Sequence, residues 1–560
     1  MQILKIVMLL AVCMPIQAIF LGSICSPVYI ALRQNNIDVL SKMLQTISNP
    51  MSPSYGKWLT HQEVHAIIDP NKEQQNKVLE WIYKHPVKNI VNNGDSITFC
   101  SQKSSLVGMF NIPIVFSDSK LLLKNYTVPE HLQDIIEFVE MYSVDRGFGV
   151  KQRPLVTMND TVDDRYIGLE PLKKLYNLPS RQQEMTIKTA AIEFQGNEGY
   201  TNTDINKQRT LNGMTDSGVT KNIGNNIGID IESELDVQML SMVNGNNELW
   251  YWSNPYWLYS FAVEYDKTFD KPDIISISWG WAEKHQCDII DCVNITSESY
   301  VSRTNNEFLK MAIQGTTIVV SSGDAGAPGR TNEECSYTSP INPVFPGSSP
   351  YVLSIGATYV VKESTVQNFT TPLCTNNACV AGSQEAAISY DKTGWTAGGG
   401  FDSYHNETQW WQKKAVNDYL NSGVELPPDK NYNKNGRAYP DVAAVGHSCP
   451  TVVNGGLVSV DGTSCSAPIV GGLLTYIWEQ VWNLYRVKAG FINPLLYYIY
   501  ENCKNCVNDI SVGYNWCTEG ACCSNGTNFG FSSYSGYDPV TGIGTLNINN
   551  ILTFLNDSKK

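Results

Sequence analysis

Ile274-Ile275-Ser276-Ile277-Ser278 is a short, almost wholly apolar run, and the chain holds two more of its kind, Ala190-Ala191-Ile192-Glu193-Phe194 and Thr317-Ile318-Val319-Val320-Ser321. None alternates polar with apolar residues, so each reads as a strand covered on both faces, as in a parallel sheet flanked by helices. The intervals between them are long enough for crossover helices. Residues 169–560 are therefore expected to form an α/β domain, a fold class that by itself specifies no chemistry.

Upstream the pattern differs. Ile37, Leu40, Met43 and Leu44 line one face of a helix, the turn cluster Ser48-Asn49-Pro50-Met51-Ser52-Pro53 ends it, and Thr60 with Glu63 reads as a capping box opening another helix. Residues 19–142 form one compositional unit. Residues 143–168, polar and carrying Arg146, Lys151 and Arg153, read as an exposed, cleavable connection. At the start, Lys5 precedes the apolar run Ile6 to Met14 and then Pro15-Ile16-Gln17-Ala18, the order of a secretory signal over residues 1–18. That run is shorter than the roughly 18 residues of a membrane span. An exported protein without a membrane span is expected.

Composition narrows the field. Of 560 residues 42% are hydrophobic and 17% charged, with 13 Trp, 29 Tyr and 17 Phe, which excludes disorder over most of the chain. The net charge of −14 is opposite to the basic footprint of a nucleic-acid binder. Of 15 cysteines one, Cys13, lies in the signal, and the even remainder reads as disulfides. Close pairs stand at Cys287/Cys292 and Cys374/Cys379, and several more crowd between Cys503 and Cys523. Cys465 is open to a second reading as a buried free thiol, and Cys503-Lys504-Asn505-Cys506 to one as half a zinc site. Glycosylation acceptors stand at Asn125, Asn159, Asn294, Asn368, Asn406, Asn525 and Asn556.

Four segments carry candidate chemistry. Asp461-Gly462-Thr463-Ser464-Cys465-Ser466-Ala467-Pro468 leads into an apolar run and puts Ser464 at a helix N-terminus, where amides and the helix dipole favour developing negative charge; Thr463 or Ser464 could equally serve as a simple N-cap. A serine nucleophile needs a base. None of the seven histidines sits in a His-Gly-Thr setting, and Asp216-Ser217-Gly218-Val219 reads as a surface turn. The alternative is a carboxylate. Glu232 and Asp236, four apart, share one helix face, so one can orient the other and hold its pKa up, although such spacings often mark only a solvated face. Asp324, in Ser321-Ser322-Gly323-Asp324-Ala325-Gly326, is either a turn residue or, protonated, a donor to an oxyanion. Asp509-Ile510 and Tyr534-Ser535-Gly536-Tyr537-Asp538 offer an oxygen-only set suited to Ca²⁺, or two ordinary Asx turns.

Together these segments resemble the sedolisin family of serine-carboxyl peptidases, most closely its tripeptidyl-peptidase branch, over nearly the whole chain. Leu175-Tyr176-Asn177-Leu178-Pro179, Ala397-Gly398-Gly399-Gly400-Phe401 and Arg437-Ala438-Tyr439-Pro440-Asp441-Val442 are similar to the family, and Ser52-Pro53-Ser54-Tyr55-Gly56-Lys57-Trp58-Leu59-Thr60 to its prosegment. The resemblance implies a subtilisin-like domain preceded by an α+β prodomain that inhibits it in cis. It implies Ser464 as nucleophile, Glu232 as general base and acid, Asp236 as its orienting partner and Asp324 as oxyanion stabiliser. It also implies Ca²⁺ held by the Asp509 and Asp538 side chains with the carbonyls of Ile510, Tyr534 and Gly536. Asp461 departs from the family pattern, which has Ser there, and adds a charge three residues before Ser464. The function implied is an acid-active peptidase made as a zymogen, secreted or lysosome-like, acting on peptides and releasing tripeptides from free N-termini. An endopeptidase and an inactive secreted binding protein of the same fold are the rival readings.

Overall fold

The computed structural model describes residues 25–112, 126–141 and 167–558, with short strands at Val115–Ser117, Lys120–Leu122 and Val156–Thr157 and with brief gaps, the longest within 361–385. The signal, most of the 143–168 connection, Asp216-Ser217 and the acceptors Asn125, Asn159, Asn294 and Asn368 lie outside the described residues.

The N-terminal unit is built on an antiparallel sheet of four strands, β1 (Ser26–Leu32), β2 (Val87–Asn92), β3 (Ser96–Ser101) and β4 (Ile136–Met141), in the order β2-β3-β1-β4. Period-two alternation along β1 gives this sheet two buried faces. Val28, Ile30 and Leu32 point into the unit's own core with Val78, Ile82, Ile97 and Phe99. Tyr29 and Ala31 point the other way and, with Phe138, join Tyr259, Tyr300 and Phe308 of the larger domain. Helices α1 (Ile37–Ser48) and α2 (His61–Ile68) follow β1, and α2 opens with the capping box expected of Thr60 and Glu63. Trp58 of the Ser52–Thr60 segment donates its Nε1–H to the Lys488 carbonyl at 2.8 Å, and Leu59 N–H to that of Ile313 at 3.0 Å.

The larger domain carries a ten-stranded sheet. Its strands include β5 (Lys188–Glu193), β6 (Val219–Ile223), β7 (Glu248–Ser253), β8 (Ile274–Ile277), β9 (Thr317–Ser321), β10 (Leu353–Val360), β11 (Val442–Val445), β12 (Val507–Asn508) and β13 (Thr545–Leu546), in the order β12-β13-β11-β10-β9-β8-β5-β7-β6. Every pairing from β6 across to β13 is parallel. The three apolar runs are the neighbouring strands β5, β8 and β9, and alternate residues feed opposite layers. Ile275, Ile277, Ile318 and Val320 pack with Phe261 of α4 (Leu258–Lys267) and Phe308 of α5 (Ser297–Ile313). Ile274 and Val319 pack instead with Leu235 and Met239 of α3 (Ile231–Asn244) and with Leu473 and Trp478 of α6 (Thr463–Tyr485).

Helices α3 and α6 approach closely because Gly472 has no side chain. A Cβ there would stand 2.5 Å from Val243 Cγ2 and 3.1 Å from the Leu240 carbonyl oxygen. Among the described residues six disulfides join Cys25–Cys100, Cys287–Cys292, Cys335–Cys523, Cys449–Cys465, Cys503–Cys506 and Cys517–Cys522. Cys465 is thus no free thiol, and Cys503 and Cys506 bond each other and hold no zinc. Cys374 faces Cys379 across a short antiparallel ladder. No helix among the described residues is long and apolar enough to cross a membrane.

Candidate active site

The carboxyl ends of β5, β8 and β9 lie side by side, the place where an open parallel sheet presents its loops. β5 ends in Glu193, β8 runs into Ser278 and Trp279, and β9 into Ser322-Gly323-Asp324. Helix α3 begins beside them, its N-cap Asp230 accepting from the Ser233 N–H at 2.9 Å, and carries Glu232 and Asp236. Helix α6 begins there too, capped by Gly462, so neither Thr463 nor Ser464 is the N-cap.

The four residues expected of the sequence meet at this point. The Ser464 hydroxyl lies against the Glu232 carboxyl and makes a long 3.4 Å bond to the Ser278 carbonyl. The Ser278 hydroxyl donates to Asp236 Oδ1 at 2.8 Å, with the Ser464 carbonyl 3.3 Å away as a second acceptor. Asp324 Oδ1 accepts from both the N–H and the hydroxyl of Thr463, at 2.8 and 2.7 Å. A Cβ on Gly462 would fall 3.2 Å from Asp324 Oδ2 and 3.6 Å from Ser464 Cβ, so glycine keeps the space beside both clear.

Sequence reasoning missed Glu193. It is fully buried, accepts a 2.8 Å bond from Trp279 Nε1–H, and interacts with Asp236 and Glu232. A carboxylate closing an apolar strand was the available signal. Burial first, and then the charges of Asp236 and Glu232, push Glu193 well above the usual carboxylate range. Burial and the nearby Asp236 do the same to Glu232, whose Oε1 is sealed without a hydrogen-bond partner, and burial raises Asp236. Three neighbouring carboxyls thus retain protons in conditions where isolated ones would have lost them.

The second expected cluster also comes together. Asp509 accepts from Gly536 N–H at 3.0 Å and from Ser535 Oγ–H at 3.0 Å, and Asp538 Oδ2 from Tyr534 N–H at 2.9 Å. The Thr541 hydroxyl lies 3.1 Å from Asp538 Oδ1 and 3.4 Å from the Ile510 carbonyl. Asp538 also accepts from the Val540 and Thr541 amides, so it does form an Asx-type turn. Burial raises both acids, Asp538 to about 8. Among the described residues neither is ion-paired with a Lys, Arg or His. Two carboxyls without a Lys, Arg or His partner among the described residues, with the Ile510 carbonyl close by, offer the oxygen donors that a hard divalent cation takes.

A parallel sheet with a serine at a helix N-terminus, set against carboxyls, defines a subtilisin-like peptidase of the serine-carboxyl type. The chain belongs to the sedolisin family. Residues 24–143 match the family model "Pro-kumamolisin, activation domain", and residues 238–492 match "Subtilase family". Physarolisin of Physarum polycephalum is 32% identical over 550 residues, spanning 94% of this chain and 92% of that protein. Tripeptidyl-peptidase 1 of Homo sapiens is 28% identical over 559 residues, spanning 94% and 91%. The solved structure of Pseudomonas sedolisin (serine-carboxyl proteinase) complexed with two molecules of pseudo-iodotyrostatin matches with a TM-score of 0.52 at 21% identity, covering 70% of this chain and 98% of that one, a likeness of fold. The protein is a serine peptidase made as a zymogen, with its own prodomain as intramolecular inhibitor and peptides or proteins as substrates.

Proposed function

We propose that this peptidase works in acid and releases tripeptides from free N-termini. Ser464 attacks the scissile carbonyl, Glu232 takes the hydroxyl proton and returns it to the leaving amine, and water later cleaves the acyl-enzyme. Asp236 orients Glu232. Asp324 stabilises the oxyanion from the side of Oδ2, while its Oδ1 is occupied by Thr463. The observation that carries this reading is the setting of the Ser464 hydroxyl against a carboxyl group, Glu232, that is buried beside a second acid. Acid action is supported by burial, which holds protons on Glu232, Asp236 and Glu193 above the usual carboxylate range, so that the cluster carries a proton to return to the leaving amine.

The prodomain comprises residues 19–142 and is severed within 143–168, after export directed by residues 1–18 to an acidic compartment, extracellular or lysosome-like. The Asp509 and Asp538 side chains and the carbonyls of Ile510, Tyr534 and Gly536 would hold Ca²⁺, which would supply positive charge to one exposed and one buried acid and join the C-terminal segments.

Tripeptide release has its support in the 28% identity to tripeptidyl-peptidase 1. The test is to acidify the purified precursor and follow its mass together with cleavage of a reporter tripeptide, N-blocked and free. Preference for the free reporter is expected; equal cleavage of both would make the protein an endopeptidase. Ser464→Ala should fold, bind peptide and turn over nothing, and appreciable turnover would remove Ser464 from its role.

A further inference from the structure

The first turn of α6 is short of helical support. Pro468 lies inside this helix and has no N–H, so the bond that residue 468 would give to the Ser464 carbonyl cannot form. The Ser278 hydroxyl lies 3.3 Å from that carbonyl and is shared with Asp236. Other parts of the fold also hold this turn. Asp324 grips Thr463. The Ser466 hydroxyl donates to the Ala444 carbonyl at 2.9 Å. Gly462 N–H donates to the Gly446 carbonyl at 2.9 Å, and Asp461 Oδ1 accepts the Ser448 amide at 2.8 Å and lies 3.0 Å from His447 Nδ1. The covalent tie is the disulfide between Cys465, which directly follows Ser464 and is fully buried, and Cys449, at the start of the strand Cys449–Val453.

We propose that Cys465, through its disulfide to Cys449, is a positioning residue for the reaction, fixing the Ser464 hydroxyl in reach of Glu232 in a first turn that lacks the helical bond from residue 468. The disulfide touches neither substrate nor the reacting atoms. Its loss therefore leaves peptide binding intact and disorders the nucleophile. The departure at Asp461 belongs to the same arrangement, since its carboxylate fastens the 446–449 loop from the other side.

This inference rests on Ser464 as nucleophile, so Ser464→Ala is carried in parallel. The variant Cys449→Ser/Cys465→Ser leaves no odd thiol. Two probes are used: a peptide aldehyde, which needs a positioned serine to form its hemiacetal, and the matching peptide alcohol, which only fills the groove. Expected are a tenfold or greater fall in kcat with KM within twofold, and a tenfold or greater fall in the aldehyde-to-alcohol affinity ratio with alcohol affinity unchanged. Adding Pro468→Ala, which restores an N–H for the Ser464 carbonyl, should recover part of both losses, an outcome a purely stabilising disulfide would not give. If the serine pair melts below the assay temperature, Cys449→Val/Cys465→Ala, apolar and closer in size to the buried sulfurs, takes its place. Unchanged kcat and affinity ratio in the folded variant would overturn the proposal while leaving Ser464 in its role. An active Ser464→Ala would instead overturn the reading beneath it.

Discussion

Lys310 of helix α5 and Asp95 of the N-terminal unit meet at 2.7 Å with essentially no exposure to solvent. They centre a charge cluster between prodomain and peptidase. Arg303 reaches Asp95, Glu137 and Glu307; Lys310 also reaches Asp266 and Glu307; His65 bridges Asp69 and Asp266, with Lys271 and His61 at the edge of Asp266. Removing one member of such a buried set costs far more than the set contributes as a whole, because the remaining charges lose their partners.

The sign of the pH effect follows from these partners. Burial opposes ionisation of Asp95 and Asp266, but Lys310 and its neighbours outweigh it and hold both below their ordinary value of 3.8. Their contribution is present above that value and is lost as pH falls through the depressed one. Burial likewise opposes protonation of His65, and its bonds to Asp266 and Asp69 outweigh it, raising it from 6.5 to about 9. Its contribution is full below 6.5 and is lost as pH climbs through 9. Glu140 on β4, kept protonated by burial, acts in the same direction. A Ser464→Ala precursor, unable to process itself, should therefore melt highest at about pH 4 to 5. It should decline below as Asp95 and Asp266 titrate, and above as the buried acids Glu140, Glu193, Glu232 and Asp236 lose their contribution, with His65 adding its own loss above 6.5. His65→Gln should flatten the alkaline decline alone, and Asp95→Asn should cost about 3–5 kcal/mol and start conversion of the otherwise intact precursor at higher pH. A melting profile that stays level from pH 4 to 9 would refute this.

Trp279→Phe removes the donor that favours the ionised form of Glu193, so the acid cluster keeps its protons to higher pH. The alkaline limb of kcat against pH should move upward, with only a modest loss at the optimum. An unmoved limb would show that Glu193 is not coupled to turnover.

Gly472→Ala puts a methyl group into Val243 and the α3 backbone. A cost of about 1–3 kcal/mol is expected from such overpacking, and because α3 carries Glu232 and Asp236 while α6 carries Ser464, kcat should fall further than stability predicts. Thermal melting and steady-state kinetics on one sample would check this.

Calcium should raise the melting temperature more at pH 7 than at pH 4, since Asp538, held at about 8 without metal, must give up its proton to bind it. Asp538→Asn should abolish that increment. An increment independent of pH would place the ion elsewhere.

Much of this was legible in the sequence because chemistry and local pattern coincided. The runs at Ile274 and Thr317 are apolar on both faces and became adjacent parallel strands, and Glu232 and Asp236 share a helix as their spacing requires. Glu193 was not legible: its role depends on β5 lying next to β8 and on Trp279 turning back toward it, and neither is a local property. The partner of Cys465 was hidden for a similar reason, since sixteen residues of hairpin separate the two sulfurs and only the folded 446–462 loops bring them together. The pairing of Asp95 with Arg303 and Lys310 carries no local signal, since Asp95 lies far from both in the chain and meets them where the two units pack.

The β1 strand, with one side turned inward to its own unit and the other against α4 and α5, has a further meaning for the life of the molecule. Once the propeptide departs, Tyr259, Tyr300 and Phe308 lose the apolar cover of Tyr29, Ala31 and Phe138, and the guanidinium of Arg303 and the ammonium of Lys310 lose Asp95. The ripened enzyme is left with a newly wetted, cation-bearing hollow on the flank of its helices. Removal of the leading segment therefore changes what α4 and α5 show to water, from a sealed apolar and charged seam to an open one.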